Sequence, residues 1–294
     1  MNERGSPALR VAVLGTGLMG VPIAQHLHFA GYDVQVWDID PGHCEGLAGL
    51  GISVNATARG ATQAADVIVT TLPDFKVVED VMAGRQRASE GFKGLWIQSS
   101  TVGLEGTRVL AAMAKDAGIT YIDCPLLGTK AVAEAGELTA LCAGPRAAEA
   151  RCRHILETFC SRVLWLGEAN EGSKLKLVMN GWILGLATLT AEAIALSIGL
   201  GFEPATFLTM IRDGPFDVVQ ARVKGSAMID GNFVASLPLR LAAKDARLIV
   251  AAGEEAGISL LMAEAVAQQL ERSRDLGHGD EDYSAVWYAV RPPA

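Results

Sequence analysis

The sequence predicts an α/β domain followed by an all-helical one. Short apolar runs alternate with helical stretches through the first half. A glycine-rich loop joins the first run to the first helix. Beyond about residue 172 strand-like runs stop and long Ala/Leu-rich helical periodicity takes over. The strand runs are RVAVL at 10–14, VQVW at 34–37, VIVTTL at 67–72, LWIQ at 95–98, TYID at 120–123, LTALCA at 138–143 and RVLWL at 162–166. A helix over 19–30 follows the first run and Gly31 closes it. Strands alternating with helices of this length make βαβ units and a doubly wound, mostly parallel sheet. Helical periodicity then fills 172–200, 204–212, 217–230, 238–256 and 260–276. The polar, glycine-flanked GEANEG at 167–172 reads as the link, dividing the chain into 1–170 and 171–294.

Composition supports this plan and removes several function classes. A chain of 294 residues has room for about two domains, and 50% hydrophobic content excludes a disordered protein. A net charge of -8 argues against a general nucleic-acid binder, which needs a cationic face, but leaves room for a small anion. Five cysteines with no C-x-x-C pair suit a reducing compartment, and the first ten residues hold no apolar signal core, so a cytoplasmic protein is expected. No Cys/His cluster has metal-ligand spacing, so no metal is expected. The stretch 181–201 is long enough to cross a bilayer. With Glu192 inside it and many small residues, it reads instead as a helix buried between protein layers, with no membrane partner.

Gly15-Thr16-Gly17-Leu18-Met19-Gly20 fits G-x-G-x-x-G directly after a strand and before a helix, the context that makes this motif a dinucleotide-binding loop of the Rossmann type. The first glycine allows the turn, the second lets backbone approach a pyrophosphate, and the third lets helix and strand pack closely. The helix N-terminus adds free N–H groups and partial positive charge. Asp38 ends the second strand, 23 residues after Gly15, where a carboxylate accepts from ribose hydroxyls and repels a 2′-phosphate. No Arg or Lys lies between Arg10 and Arg59, so NAD is expected over NADP. Asp40 suits helix capping better than ligand binding.

Lys176 and Asn180 are four apart on a predicted helix and share a face, whereas Lys174 points elsewhere. A lysine at a cofactor cleft can exchange a proton with a carbonyl or hydroxyl oxygen; on spacing alone it could equally be a surface lysine. Gly172 at the helix start would permit close backbone approach.

The chain resembles the β-hydroxyacid dehydrogenase family, which includes 3-hydroxyisobutyrate dehydrogenase. The pieces run nearly end to end: GTGLMG at 15–20, Thr71-Leu72-Pro73, Ser100-Thr101, DCPLLGTKAVAEAG at 123–136, GSKLKLVMN at 172–180, Lys244-Asp245 and GDEDYSAV at 279–286. GTKAVAEAGELTALCAG and LPLRLAAKDARL are most similar to the glyoxylate/succinic semialdehyde reductase branch. The resemblance implies an oxidoreductase interconverting a small hydroxy acid and its semialdehyde or oxo form. It implies Lys176 as general acid/base, Asn180 as substrate-orienting, Thr101 beside the nicotinamide, and Leu72 and Pro73 lining the cofactor cleft. Lys244 would reach the cofactor and Asp245 would lie near the substrate. The helical domain would close over the substrate and build a homodimer or a higher homo-oligomer.

The departures also inform. Leu127 stands where the family usually carries a carboxylate-binding serine, leaving the Gly128 backbone and the Thr129 hydroxyl for that role. Leu237 stands where the semialdehyde reductases carry an aromatic, and Gln98 where the family has an aspartate. The branch commonly uses NADPH, against the NAD that Asp38 implies. The two leucines make imine reduction on the same fold the alternative activity, and a non-catalytic cofactor-binding module is a third reading; the retained Lys176 favours carbonyl chemistry over both.

Overall fold

The computed structural model describes residues 9–292. Among the described residues nine strands form: β1 (Arg10–Leu14), β2 (Asp33–Trp37), β3 (Ser53–Val54), β4 (Val67–Thr70), β5 (Leu95–Gln98), β6 (Thr120–Asp123), β7 (Leu126–Leu127), β8 (Leu138–Cys142) and β9 (Cys160–Trp165). Among them run helices α1 (Gly20–Phe29), α2 (Glu45–Ala48), α3 (Ala58–Thr62), α4 (Phe75–Met82), α5 (Gly103–Asp116), α6 (Lys130–Glu134) and α7 (Glu149–Leu156). Then follow α8 (Glu171–Gly199), α9 (Thr206–Ile211), α10 (Val219–Asp230), α11 (Leu239–Glu255), α12 (Leu261–Ser273) and α13 (Trp287–Val290).

Six strands make one parallel sheet in the order β3-β2-β1-β4-β5-β6. The order reverses between β1 and β4, and ligands of doubly wound sheets bind at the strand C-termini beside such a reversal. The central strands β1, β4 and β5 are near-continuous buried runs because both faces are covered, whereas β2, nearer the sheet edge, is interrupted by half-buried Gln35. Val11 and Val13 enter one core with Val34, Val67, Val69 and Ile97, while Ala12 and Leu14 enter the other with Ile68 and Trp96. A second sheet, β7-β8-β9, has β7 antiparallel to β8 and β8 parallel to β9.

The two-residue strands β3 and β7 were not expected, because a pair of residues leaves no periodicity to read. The compact units divide at Lys176/Leu177, inside α8, rather than in the 167–172 link: unit one is Met1–Lys176 and unit two Leu177–Ala294. A helix continues through a division that backbone composition alone would place at the nearest glycine-flanked polar stretch.

The second unit is helical. Its α10 and the segment before α13 are joined by Lys224 and Asp282, 2.8 Å apart and both buried. Arg247 of α11 bonds Glu264 and Glu271 of α12. The expectation that α8 is enclosed between protein layers needs correcting. Only 33% of its most apolar window is buried, and Val178, Trp182, Leu189 and Leu196 face outward. By length and composition α8 is the one helix among the described residues apolar enough to cross a membrane. Its apolar content is spread around the helix, and the single chain covers one side of it.

Candidate functional site

The glycine loop lies between β1 and α1, and its three glycines are required for different reasons. Gly15 has φ +96°, and a Cβ there would meet Thr71 O at 2.7 Å. A Cβ on Gly20 would fall 1.8 Å from Gly15 O, so α1 could not approach the strand. A Cβ on Gly17 would meet nothing within 4 Å. Packing therefore explains two of the glycines and leaves Gly17 to be explained by something that approaches the backbone from outside, as a pyrophosphate does. Thr71 Oγ1 donates to Gly15 O at 2.7 Å and ties this loop to the end of β4.

Asp38 follows β2. Its Oδ2 accepts the Thr16 N–H at 2.7 Å and its Oδ1 accepts the Asp40 N–H at 2.9 Å, so the carboxylate is held against the glycine loop. Asp40 caps the next turn, accepting the Gly42 N–H. One element of the sequence reading changes: the loop is not free of potential cations, because His43 Nδ1 lies 3.2 Å from Asp38 Oδ1. A lysine and arginine census overlooks a histidine five residues away that a turn brings back.

Leu72 and exposed Pro73 follow β4, and half-buried Thr101 follows β5, so the predicted nicotinamide contacts gather at strand C-termini. Gln98 organises them. Its Oε1 accepts the Ser100 N–H at 2.6 Å, its Nε2 donates to Ser100 O at 2.9 Å, and Ser100 Oγ in turn accepts the Leu72 N–H at 2.8 Å. A neutral amide offers both a donor and an acceptor here, which a carboxylate cannot. Gln98 is fully buried in this role.

Lys176, half-buried on the second turn of α8, donates from Nζ to Leu126 O at 2.7 Å. Its ammonium thus lies at the head of the segment carrying Leu127, Gly128 and Thr129. Asp123, at the end of β6, fixes the start of α8. Its Oδ2 accepts the Ser173 N–H at 2.8 Å and its Oδ1 accepts the Ser173 Oγ–H at 2.7 Å. Ser173 Oγ also meets Thr107 Oγ1 at 2.9 Å, linking α5. Gly172 permits this docking, since a Cβ there would lie 2.3 Å from Leu141 O. Burial pushes the Asp123 carboxyl up to about 6, against the hydrogen bonds from Ser173 and Asn170 that lower it.

In the second unit, Asn180, one turn beyond Lys176 along α8, donates from Nδ2 to Asp245 Oδ2 at 2.7 Å, with both residues buried. Lys244 Nζ lies 2.9 Å from Asp245 Oδ1, an ion pair without hydrogen-bond alignment. Asn180, Lys244 and Asp245 therefore form one group, with the asparagine amide orientation set by the aspartate.

Gln98, Ser100, Asp123 and Ser173 carry no site role predicted from the sequence, although each stands in or beside a matched motif. The available signal was position: each polar residue ends or directly follows an apolar parallel strand, or opens a long helix.

A doubly wound sheet with this loop and an acidic residue after β2, followed by a helical unit, defines a dinucleotide-binding protein of the Rossmann type. Residues 10–167 match the NAD-binding domain of 6-phosphogluconate dehydrogenase, and 170–290 match the NAD-binding domain of NADP-dependent 3-hydroxyisobutyrate dehydrogenase. The chain belongs to the 3-hydroxyisobutyrate dehydrogenase-like β-hydroxyacid dehydrogenase family. It is 30% identical over 284 residues to chloroplastic glyoxylate/succinic semialdehyde reductase 2 of Arabidopsis thaliana, covering 96% of this chain and 79% of that protein. It is 29% identical to 2-(hydroxymethyl)glutarate dehydrogenase of Eubacterium barkeri, covering 95% and 94%. The Mycobacterium tuberculosis 3-hydroxyisobutyrate dehydrogenase structure with L-serine superposes with a TM-score of 0.85 at 25% identity, covering 97% and 100%.

Proposed function

We propose that this chain interconverts a small hydroxy acid and its semialdehyde or oxo form, with NAD preferred over NADP and Lys176 as the general acid/base. The observation that carries this reading is the Lys176 ammonium held 2.7 Å from Leu126 O, on the segment that continues into Gly128 and Thr129. A nicotinamide dinucleotide, when bound, supplies or takes up the hydride. The 15–20 loop and the α1 N-terminus would hold its pyrophosphate, Asp38 its ribose hydroxyls, and Leu72, Pro73 and Thr101 its nicotinamide end, and the family resemblance gives Lys244 as a further cofactor contact. Gly128 N–H and the Thr129 hydroxyl are donors for a substrate carboxylate. Lys176 gives a proton to the substrate oxygen in reduction and takes one from the hydroxyl in oxidation. Asn180, its amide fixed by Asp245, orients the substrate. Leu127 adds no polar group, which favours a substrate with an apolar or short body.

Lys176→Ala is expected to lower turnover about 10²–10⁴-fold while NADH still binds by fluorescence titration, across a panel of hydroxy acids and semialdehydes. A variant turning over at the wild-type rate would reassign the proton to another group. We further propose a homodimer through α8. Val178, Trp182, Leu189 and Leu196 are exposed and lie four or seven residues apart, a seam that a second copy of the same helix would cover. A monomer by light scattering would remove this proposal.

A further inference from the structure

Four of the five cysteines, all free and buried, sit where β6, β8, α7 and β9 meet. Two of them face each other across paired backbone. Asp123 N–H donates to Ala143 O at 2.9 Å, and Ala143 N–H returns to Asp123 O at 2.8 Å. Further along, Leu141 N–H donates to Pro125 O at 3.0 Å, and Leu126 pairs with Ala140. This antiparallel register places Cys124 directly opposite Cys142. Their own backbone groups point away from each other: Cys124 N–H donates to Gln98 O, and Cys142 O accepts from Leu166 N–H, each at 2.8 Å. They are therefore a cross-strand pair at a non-hydrogen-bonded position. Such pairs hold their Cα atoms about 4.5 Å apart, within the span a disulfide bridges. Their Sγ atoms already lie 3.3 Å apart. A bond between them needs side-chain rotation and no backbone displacement.

We propose that Cys124 and Cys142 are a dithiol site oxidised to a disulfide by a small hydroperoxide. Cys142 is the attacking sulfur. Hydrogen bonds from the Cys124 and Cys152 thiols and the nearby Arg153 charge favour its thiolate, against burial and Glu149. The Cys142 sulfur takes the terminal peroxide oxygen: an S–O bond forms, the O–O bond breaks, and with hydrogen peroxide the leaving hydroxide takes up the proton that the Cys142 thiol released and departs as water. Cys124 sulfur then attacks Cys142 sulfur. The S–S bond forms, the S–O bond breaks, and a second water leaves with the Cys124 proton. Two thiols lose two electrons and one peroxide gains them. Both side chains are fully buried, so the oxidant enters during local openings and the reaction is slow. The bond would stiffen 123–126, the segment whose Asp123 holds Ser173 and whose Leu126 O holds Lys176. That consequence for turnover rests on the assignment of Lys176 above; the disulfide does not.

The full chain is exposed to hydrogen peroxide, unfolded in an alkylating agent, digested without reductant and mapped by mass spectrometry. A peptide linking Cys124 to Cys142 is expected, with two of the five thiols lost and restored by dithiothreitol. C152A is expected to form the same link, and C124A and C142A to lack it. Five intact thiols, a Cys142–Cys152 link, or sulfinic acid in place of any link would overturn the site. Because the wild-type map decides the question alone, poor folding of a variant does not obscure it. Oxidised protein is expected to turn over several-fold more slowly than reduced protein. Unchanged turnover in fully linked protein overturns the coupling, whereas wild-type activity in Lys176→Ala overturns the lysine assignment and leaves the disulfide standing.

Discussion

Asp123 in the first unit and Asp282 in the second are both enclosed, yet their charges are handled in opposite ways. Among the described residues Asp123 receives neutral donors, from Ser173 and Asn170, and burial prevails, raising it to about 6. Asp282 also resists ionisation through burial, but the Lys224 hydrogen bond and charge, with donors from Ser284 and Ser236, outweigh that and lower it. Lys224 Nζ lies 2.8 and 3.0 Å from the two Asp282 oxygens. Hydrogen bonds alone do not offset the burial of a carboxylate here; a buried counter-charge added to them does. The weakly compensated charge sits at the start of the helix that carries Lys176. The well compensated one ties the segment before α13 to α10.

Breaking the better-compensated side should produce the largest loss of stability. Lys224→Met leaves Asp282 buried without its cation and is expected to cost about 3–5 kcal/mol in urea unfolding. A loss below about 1 kcal/mol would mean that Asp282 is no better compensated than Asp123.

The pH dependence sharpens the contrast, because the two signs differ. Folded Asp123 holds its proton more tightly than the unfolded chain does, so its contribution is full below the unfolded value of 3.8 and is lost as pH rises through about 6. The loss is about 3 kcal/mol for two pKa units. Asp282, lowered, contributes above its unfolded value, and that contribution is lost as pH falls through its folded one. Unfolding free energies from pH 3 to 7 are therefore expected to lose a falling component in Asp123→Asn and a rising, more acidic one in Asp282→Asn. The same slope in both variants would erase the distinction.

Smaller effects separate binding from stability within the first unit. Gly17→Ala is expected to leave the thermal midpoint within about 2 °C, since its Cβ meets nothing, while weakening NADH about tenfold or more, roughly 1.4 kcal/mol. Gly20→Ala should instead lose folded protein, as its Cβ would collide with Gly15 O. Asp38→Ser is expected to shift the NAD-to-NADP preference by about tenfold, measured as a ratio of kcat/KM values. An unchanged ratio would leave cofactor choice to residues other than Asp38.

Much of the first unit was legible because its signals are local. Val11 and Val13 alternate with Ala12 and Leu14 in four consecutive residues, and the strand they imply is β1 as observed. The helical stretches of the second unit were legible for the same reason, to within a few residues. The strands β3 and β7 were not, being too short to carry a period. His43 was missed beside Asp38 because a turn, not proximity in an element, returns it. Ser173 was quoted in a motif without a role, because its partner Asp123 lies fifty residues earlier.

By itself the sequence determined the strand–turn–helix around Gly15–Gly20, the order of the two units, and the shared helical face of Lys176 and Asn180. These follow from backbone sterics and side-chain periodicity over a few residues. Only the tertiary structure decided which polar groups meet: Lys176 with Leu126 O, Asn180 with Asp245, Asp123 with Ser173 and Cys124 with Cys142. The reason is that hydrogen bonds and ion pairs act over about 3 Å in space, and the chain separates these partners by between 18 and 65 residues. No local pattern encodes that distance.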